Sequence, residues 1–205
     1  PALQKTGDDI VIVTPMYRVT QENYGDEFER IKTCQIVLGQ RRLACSLYRG
    51  ALNGVTVYAI GNEHLFHRPR LYGYGDDSLR FAFFCRALID LLPEFGDLPD
   101  ILHCNDWETA LAILYLKNDA VLRPELSHIK TVYTIHNIAY QGQFGRSEME
   151  ATFALPDGWY HGGLSYEFEG RQDINLMKGA MLMADAVTTV SPTYARELHY
   201  PYFAH

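Results

Sequence analysis

The sequence TVYTIHNIAYQG, residues 131–142, joins an apolar run to a polar run. Residues 131–135 are rich in β-branched side chains and predict a buried β-strand. The seven residues that follow supply an imidazole, two carboxamides, a phenol and a glycine. Open α/β sheets bind ligands at the carboxyl ends of their strands, which is where this polar run begins. The pattern predicts hydrogen bonding to a polyhydroxylated substrate such as a sugar.

The composition limits the classes of partner. The 205 residues are 47% hydrophobic and 13% aromatic, which is enough for a packed core in one large domain or two small ones. The net charge is −7, with 18 Lys and Arg against 25 Asp and Glu, and no basic run appears. This balance argues against a nucleic-acid or anionic-membrane partner and favours a small molecule or a neutral polymer.

Cysteine usage and the absence of targeting signals predict the compartment. Cys34, Cys45, Cys85 and Cys104 are widely spaced in apolar runs, which predicts reduced core thiols. No signal peptide and no apolar span of roughly 20 residues is visible. We therefore expect a cytoplasmic protein, although a plastid stroma would leave the same pattern once a transit peptide was removed.

Strands and helices are predicted to alternate along most of the chain. The predicted strands lie at 10–13, 101–104, 131–135 and 186–190, and those at 10–13, 131–135 and 186–190 read as buried strands. The predicted helices lie at 76–92, 108–117, 173–184 and from 193 onward. Longer strands between 28 and 60, with turns at 38–40 and 53–54, predict an antiparallel meander. The alternation predicts an α/β fold with a doubly wound, mostly parallel sheet in one domain.

Two further groups of polar residues follow predicted strands. Asn105, Asp106 and Trp107 come after the strand at 101–104, at the same sheet edge as His136. The carboxylate could accept hydrogen bonds from sugar hydroxyls, and the indole could stack on a pyranose face. Asp106 could equally be the N-cap of the next helix, and His136 a hydrogen-bonded histidine at a strand end.

Residues 191–194, SPTY, follow the last predicted strand. They form either a hydroxyl-rich site for phosphate or glycan, or simply the start of a helix capped by Ser191 or Thr193. The helix start is the simpler interpretation.

Several other chemistries lack their motifs. The sequence contains no Gly-x-Gly-x-x-Gly after a strand, no P-loop and no Gly-x-Ser-x-Gly. The eight histidines include no His-x-x-x-His pair, and His64 with His67 is a weak basis for a metal site. We expect neither a metal nor a cofactor.

An ordered series of motifs carries a family resemblance. The motifs are HCNDW at 103–107, HNIAYQG at 136–142, EFEG at 167–170, NLMKG at 175–179, AD at 184–185 and VSPTYARE at 190–197, with YGDD at 74–77 and RFAFF at 80–84. This order resembles that of bacterial glycogen synthases and plant starch synthases. The resemblance implies a GT-B glycosyltransferase, with two Rossmann-like domains that face each other across a cleft. Such enzymes transfer glucose from ADP-glucose to the non-reducing end of an α-1,4-glucan with retention, and this chain resembles their amino-terminal, acceptor-side domain.

The resemblance also implies roles for individual residues. His136 matches an active-site histidine beside the transferred glucose, and Asp106 matches an aspartate that holds or orients the sugar. Tyr72 matches a substrate-binding tyrosine, in a loop whose alignment is less defined. The motif residues Asn137, Tyr140 and Gln141 are expected to line the cleft, together with Trp107.

Two departures from the family separate this chain from a whole synthase. The family begins with a strand and a Lys-Thr-Gly-Gly loop that contacts the nucleotide sugar, whereas Lys5-Thr6-Gly7 continues with Asp8-Asp9 and precedes a strand. The resemblance also places the Arg, Lys and Glu groups that bind the diphosphate in a second domain, beyond residue 205. We therefore expect an incomplete Rossmann-like domain over residues 1–205 that is inactive by itself.

Two alternatives follow from the same residues. One is a non-catalytic relative that binds glucan and regulates or scaffolds a synthase. The other is a GT-B glycosyltransferase with a different donor, such as a relative of sucrose synthase.

Overall fold

A computed structural model describes residues 3–200, except for the side chain of Phe168. The chain divides into two compact units between Gly96 and Asp97. The organisation of residues 1–205 as one Rossmann-like domain stays a prediction.

The first unit is built on a four-stranded sheet. Its strands are β1 (Val11–Pro15), β2 (Glu29–Leu38), β3 (Arg41–Leu52) and β4 (Val55–Gly61). Their order is β1-β4-β3-β2, with β1 parallel to β4 and the other pairs antiparallel. The predicted meander is confirmed, and its tight turns contain Gly39 at φ 59° and Gly54 at φ 80°. Glycine suits these positions because it has no Cβ atom, so a left-handed φ causes no steric strain.

Three helices lie in the described part of the first unit. They are α1 (Arg18–Tyr24), α2 (Glu63–Phe66) and α3 (Asp77–Asp90), and short 3-10 turns occur at Leu3–Thr6, Gly25–Glu27 and Leu92–Phe95. Helix α3 confirms the helix predicted at 76–92 and buries Phe81, Phe83 and Phe84. Its Arg80 is fully buried, where it is neutralised by Asp77 and donates to the carbonyls of Leu65 and Leu71. A buried guanidinium needs such partners because an unpaired buried charge is strongly destabilising.

The second unit contains a parallel sheet and an antiparallel sheet. Its strands are β5 (Ile101–Asn105), β6 (Lys130–Ile135), β7 (Gln143–Gly145), β8 (Ser165–Phe168), β9 (Arg171–Asn175) and β10 (Ala186–Thr189). The parallel sheet has the order β10-β6-β5 and the antiparallel sheet the order β7-β9-β8. The helices are α4 (Trp107–Asp119), α5 (Leu176–Met183) and α6 (Pro192–Glu197), with a 3-10 turn at Pro124–Leu126 and π-helical turns at Met149–Phe153 and Tyr160–Leu164.

Two strands that read as buried from sequence are partly exposed. Val11 and Ile12 in β1 and Val187 in β10 are all exposed. Among residues 3–200, both strands lie at the edges of their sheets, where each pairs with one neighbouring strand. A β-branched run records strand propensity, and it does not distinguish a central strand from an edge strand.

The helix predicted at 173–184 begins later than expected. Residues 173–175 end β9, and α5 starts at Leu176. The chain changes from strand to helix at Asn175, because the Asn175 side chain accepts a hydrogen bond from the backbone amide of Lys178 and caps the helix. Periodicity alone placed the boundary too early because this short strand is polar at Asp173.

The four cysteines are free thiols, of which Cys45, Cys85 and Cys104 are buried. Burial raises the pKa of the Cys104 thiol to about 12. Burial, together with the neighbouring Cys34, also raises the pKa of the Cys45 thiol to about 12. In residues 3–200, no helix has the length and apolar content needed to cross a membrane.

Asp185 ties together three elements of the second unit at the amino ends of its parallel strands. Its Oδ2 accepts from Lys117 Nζ of α4 at 2.8 Å, and from Thr131 N and Oγ1 of β6 at 2.9 and 2.8 Å. Asp185 itself directly precedes β10. The Lys117 ammonium and the Thr131 donors hold the pKa of this carboxyl well below its usual range.

We expect Asp185→Ala in the full-length protein to destabilise β6 and β10 by about 1–2 kcal/mol, a value reduced by partial exposure of the carboxylate. Faster hydrogen exchange of peptides that cover these strands is the measurement. Because the pKa is lowered in the folded state, the ionised carboxylate stabilises the protein above the unfolded pKa of about 3.9. The difference between variant and wild type should therefore be constant near neutrality and shrink as the pH falls below about 4.

Asp97→Ala is the matched control, because Asp97 is an exposed aspartate of the same unit. An equal change in exchange for both variants, or a difference that does not depend on pH, would contradict the assignment.

Candidate functional site

The parallel register brings two strand ends together in the second unit. Asn105, the last residue of β5, pairs with Thr134, one residue before the end of β6. The polar residues that follow each strand therefore emerge at the same edge of the sheet. The structure confirms that Asn105, Asp106 and His136 are neighbours.

Asp106 holds the two strand ends in contact. Its backbone N donates to Thr134 O at 3.0 Å, and its Oδ1 accepts from His136 N at 2.8 Å. Asp106 has φ 55° and ψ −178°, a region that is sparsely populated by residues other than glycine. It occupies the N-cap position of α4, but its side chain makes no capping hydrogen bond. The carboxylate therefore binds the backbone N–H of His136 and does not cap the first turn of α4.

His136 is exposed and is oriented by an amide. Its Nε2 lies 3.0 Å from Asn105 Oδ1, so Nε2 carries a proton and donates to the amide oxygen. In the neutral ring this tautomer leaves Nδ1 as an acceptor, and Nδ1 has no hydrogen-bond partner in the described chain. Sequence reasoning assigned no role to Asn105. Asn105 ends the strand that neighbours the strand before His136, and this position could have indicated its role from the sequence.

The loop after His136 is closed by its own polar side chains. Asn137 Oδ1 accepts from Ala139 N at 3.0 Å, which forms a local turn. Gln141 Nε2 donates to Ile138 O at 3.0 Å, and its Oε1 accepts from Asn175 Nδ2 at 2.5 Å. Asn137 and Gln141 thus fix the shape of the loop.

Two side chains from later elements hold the same loop. Tyr194 of α6 accepts a hydrogen bond from Ile138 N at its Oη, at 3.0 Å. Asn175, which is buried at 1% exposure, connects Gln141 to the start of α5. Both residues belong to motifs quoted from the sequence, but their contacts span more than 30 residues and could not be read from spacing.

Tyr140 extends from this loop into solvent. Its side chain is 61% exposed and makes no hydrogen bond in the described chain. Of the loop residues expected to line a cleft, Tyr140 has the side chain most available to a ligand.

Trp107 lies beneath the loop and is only 9% exposed. Its ring packs against Phe144 at a centroid distance of 5.6 Å. A Cβ atom at Gly142, which has φ +64°, would lie 2.8 Å from Trp107 Cε3. The glycine therefore lets the loop lie directly on the indole, and the burial of Trp107 closes its ring to the sugar stacking expected from sequence.

The start of α6 is a helix cap. Ser191 Oγ accepts a hydrogen bond from Tyr194 N at 3.0 Å, which confirms the simpler interpretation of residues 191–194. Ser191, rather than Thr193, is the capping residue.

Tyr72 belongs to the first unit. The ring is 54% exposed, between α2 and α3. Two residues later, the ring of Tyr74 lies within 5.0 Å of the guanidinium carbons of Arg68, Arg70 and Arg80. Sequence reasoning singled out Tyr72 and missed this arrangement around Tyr74.

Within residues 3–200, no three or more His, Cys, Asp or Glu side chains are grouped so that they could hold a metal ion.

Comparison with known proteins identifies the family. The family model described as the starch synthase catalytic domain matches residues 1–205. The chain belongs to the starch synthase catalytic-domain family. Glycogen synthase from Clostridium novyi (strain NT) is 38% identical over 203 residues, which cover 98% of this chain and 42% of that protein. Glycogen synthase from Desulfitobacterium hafniense is 40% identical over 205 residues, which cover 98% of this chain and 43% of that protein.

A solved structure gives the same result for the fold. It is the catalytic domain of starch synthase IV from Arabidopsis thaliana bound to ADP and acarbose, with a TM-score of 0.85 and 29% sequence identity. The match covers 99% of this chain and 42% of that one. The α/β fold of GT-B type expected from the motifs is confirmed. This starch synthase family chain spans less than half the length of the relatives it matches.

We expect Gly142→Ala to destabilise the loop in the full-length protein by about 1–3 kcal/mol, because the new methyl group meets Trp107 at a positive φ. Thermal unfolding and hydrogen exchange of residues 136–142 measure the effect. Gly170→Ala is the control, since Gly170 also has a positive φ of 76° but no atom within 4 Å of its Cβ position. If both variants lose the same stability, contact with Trp107 does not constrain the loop.

Proposed function

We propose that the protein to which this chain belongs is a glycogen or starch synthase. It would transfer glucose from ADP-glucose to the non-reducing end of an α-1,4-glucan with retention of anomeric configuration. This chain would supply the acceptor-side, amino-terminal part of the enzyme. The observation that carries the proposal is the cluster of Asn105, Asp106 and His136 at adjacent strand ends, in a chain of this family. ADP in the similar starch synthase IV structure supports an adenine nucleotide donor.

We propose that His136 and Asp106 are the residues of this chain that contact the reacting glucosyl unit. Each keeps one hydrogen-bonding atom without a partner in the described chain, Nδ1 of His136 and Oδ2 of Asp106. Their other polar atoms are fixed, so the free atoms are held in place before the substrate arrives. Preorganised groups of this kind lower a barrier by orientation and by electrostatic stabilisation.

The remaining site residues receive narrower roles in the proposal. Tyr140 would contact the sugar, and Tyr72 would bind substrate from the first unit. Asn137, Gln141 and Trp107 would act mainly by holding the loop, because their contacts are with protein atoms.

The hydrogen-bonded cluster contains no Lys or Arg. A departing nucleoside diphosphate requires concentrated positive charge for its stabilisation. The proposal therefore assigns this task to groups outside the cluster, and the chain by itself is expected to be inactive. We also propose a cytoplasmic location, which the bacterial relatives support, or a plastid stroma if the protein is from a plant.

Nucleotide release by the full-length protein tests the function. ADP-glucose and UDP-glucose should each be assayed with and without a maltooligosaccharide acceptor. We expect release that depends on the acceptor and is faster with ADP-glucose. A folded protein that binds the oligosaccharide but releases nucleotide from neither donor would instead be a non-catalytic glucan-binding relative. Faster release from UDP-glucose would overturn the donor assignment.

Substitutions in the full-length protein test the two assigned residues. We expect His136→Ala and Asp106→Ala each to lower kcat by on the order of 100-fold or more, because each removes a fixed polar group at the reacting sugar. Asp106→Asn should fall between wild type and Asp106→Ala, since the amide oxygen can still accept from His136 N. Initial rates at saturating donor and acceptor provide the comparison.

His199→Ala is the matched control, because His199 is an exposed histidine of the same unit. Unchanged melting temperatures would show that the variants are folded. Near-normal turnover in His136→Ala would defeat the assignment of that residue.

A further inference from the structure

Two of the four cysteines face each other across the meander of the first unit. Cys34 lies in β2 and Cys45 lies in β3, and the two are directly opposite partners in the antiparallel ladder. The thiol of Cys45 is also hydrogen-bonded to the thiol of Cys34. Neither residue belongs to the cluster around His136, so the pair is a reactive feature that the proposed glucosyl transfer does not use.

The spacing of an antiparallel pair is compatible with a disulfide. Directly opposite residues have Cα atoms about 4.5–5.5 Å apart, and disulfides span Cα separations of about 4.4–6.8 Å. The Cβ atoms of such a pair are about 4.5–5.5 Å apart, which is longer than the roughly 3.5–4.5 Å of a relaxed disulfide. Bonding of Cys34 to Cys45 therefore requires a small approach of the two strands and produces a strained bond. Strained disulfides are the ones that are easily reduced.

The two thiols differ in their access to solvent. Cys45 is 1% exposed, whereas Cys34 is half-buried. Burial, together with contact with Cys34, raises the pKa of the Cys45 thiol to about 12. A reagent in solution therefore meets Cys34 first, because a thiol must be accessible in order to react. Cys45 is placed to react with a sulfur that is already bound to Cys34.

The pair lies beside an irregular part of the ladder. The register between β2 and β3 shifts between Arg30 and Lys32, and the regular pairing that follows includes Cys34 and Cys45. A bulge leaves an extra residue unpaired and locally disrupts the ladder. A covalent bond between the strands fixes their register next to the bulge, so its formation and loss change how firmly the meander is held.

We propose that Cys34 and Cys45 form a reversible disulfide, and that the pair is a site of oxidation by low-molecular-weight disulfides such as glutathione disulfide. Disulfides that occur in reducing compartments are mostly catalytic or redox-sensing. The cross-strand position is suited to sensing, because the strain of the closed bond favours its reduction.

The oxidation proceeds in two thiol–disulfide exchanges. The Cys34 thiolate attacks one sulfur of glutathione disulfide, which forms a mixed disulfide and releases one glutathione thiolate. Cys45 Sγ then loses its proton to solvent and attacks Cys34 Sγ, so that the bond between the strands forms and the second glutathione leaves as a thiolate. Two protein thiols are oxidised, and one glutathione disulfide is reduced to two glutathione molecules. Contact between the two cysteines makes the second step intramolecular, which offsets the weak acidity of Cys45.

Peptide mapping of the full-length protein tests the proposal. The reduced protein is incubated with glutathione disulfide, blocked with an alkylating reagent and digested with trypsin under non-reducing conditions. Cleavage at the flanking Lys and Arg residues places Cys34 in the peptide 33–41 and Cys45 in the peptide 43–49. We expect mass spectrometry to find these two peptides joined by a disulfide. The link should be lost when the folded protein is returned to excess reduced glutathione.

Two variants test the order of the steps. In Cys45→Ser, the mixed disulfide between Cys34 and glutathione should accumulate, because the second thiol is missing. In Cys34→Ser, Cys45 should stay a thiol and be alkylated at least about tenfold more slowly than Cys34 of the wild type, because it is buried. Cys85→Ser is the matched control, since it removes a buried cysteine of the same unit, and it should form the linked peptides as the wild type does.

Three outcomes would overturn the proposal. The first is a wild-type protein that forms no linked peptides, or forms them only after unfolding in urea, which would leave two ordinary core thiols. The second is a mixed disulfide that persists at Cys34 in the wild type as it does in Cys45→Ser. The third is a link that dithiothreitol reverses but reduced glutathione does not. None of these measurements depends on nucleotide release, so their result is separate from that of the proposed function.

Discussion

The contact on which the candidate site depends is the hydrogen bond from His136 N to the carboxylate of Asp106. It joins the first residue after β6 to the first residue after β5. The backbone of Asp106 adopts φ 55° to make this contact, at a cost on the order of 1–3 kcal/mol for a residue other than glycine. An aspartate in that conformation is explained by what its side chain holds, since the helix that follows receives no cap from it.

The motif at 136–142 divides into residues that shape the loop and residues that face outward. Asn137 and Gln141 use their amides on the loop itself, and Gly142 lets it settle on Trp107. Tyr194 and Asn175 hold it from later elements. In the described part of the chain, His136, Tyr140 and one oxygen of Asp106 keep hydrogen-bonding groups without a partner. A run of polar residues at a strand end is therefore mostly scaffold, which supports a small number of available atoms.

Sequence reasoning predicted the positions of the site residues better than it predicted the contacts between them. The mostly apolar run at 101–104 and the β-branched run at 131–135 predicted the strands, and the parallel register then required their carboxyl ends to meet. The Asn53-Gly54 pair predicted the hairpin between β3 and β4 because both residues tolerate a positive φ. Burial could not be predicted in the same way. Whether β1 and β10 are edge strands, and whether Trp107 faces solvent or Gly142, depends on contacts between distant residues.

The charges of the cluster are better suited to stabilise the glucosyl unit than the departing diphosphate during glycosyl transfer. As the bond to the departing diphosphate stretches, positive charge develops on the sugar and negative charge on the phosphate. Asp106 brings a carboxylate to the strand ends, and its neighbours Asn105 and His136 present dipoles fixed by hydrogen bonds. A fixed negative group stabilises the developing charge on the sugar and opposes the accumulation of charge on the phosphate. In a synthase these residues would therefore act on the glucosyl unit, and the phosphate would have to be neutralised by cations that the cluster does not contain.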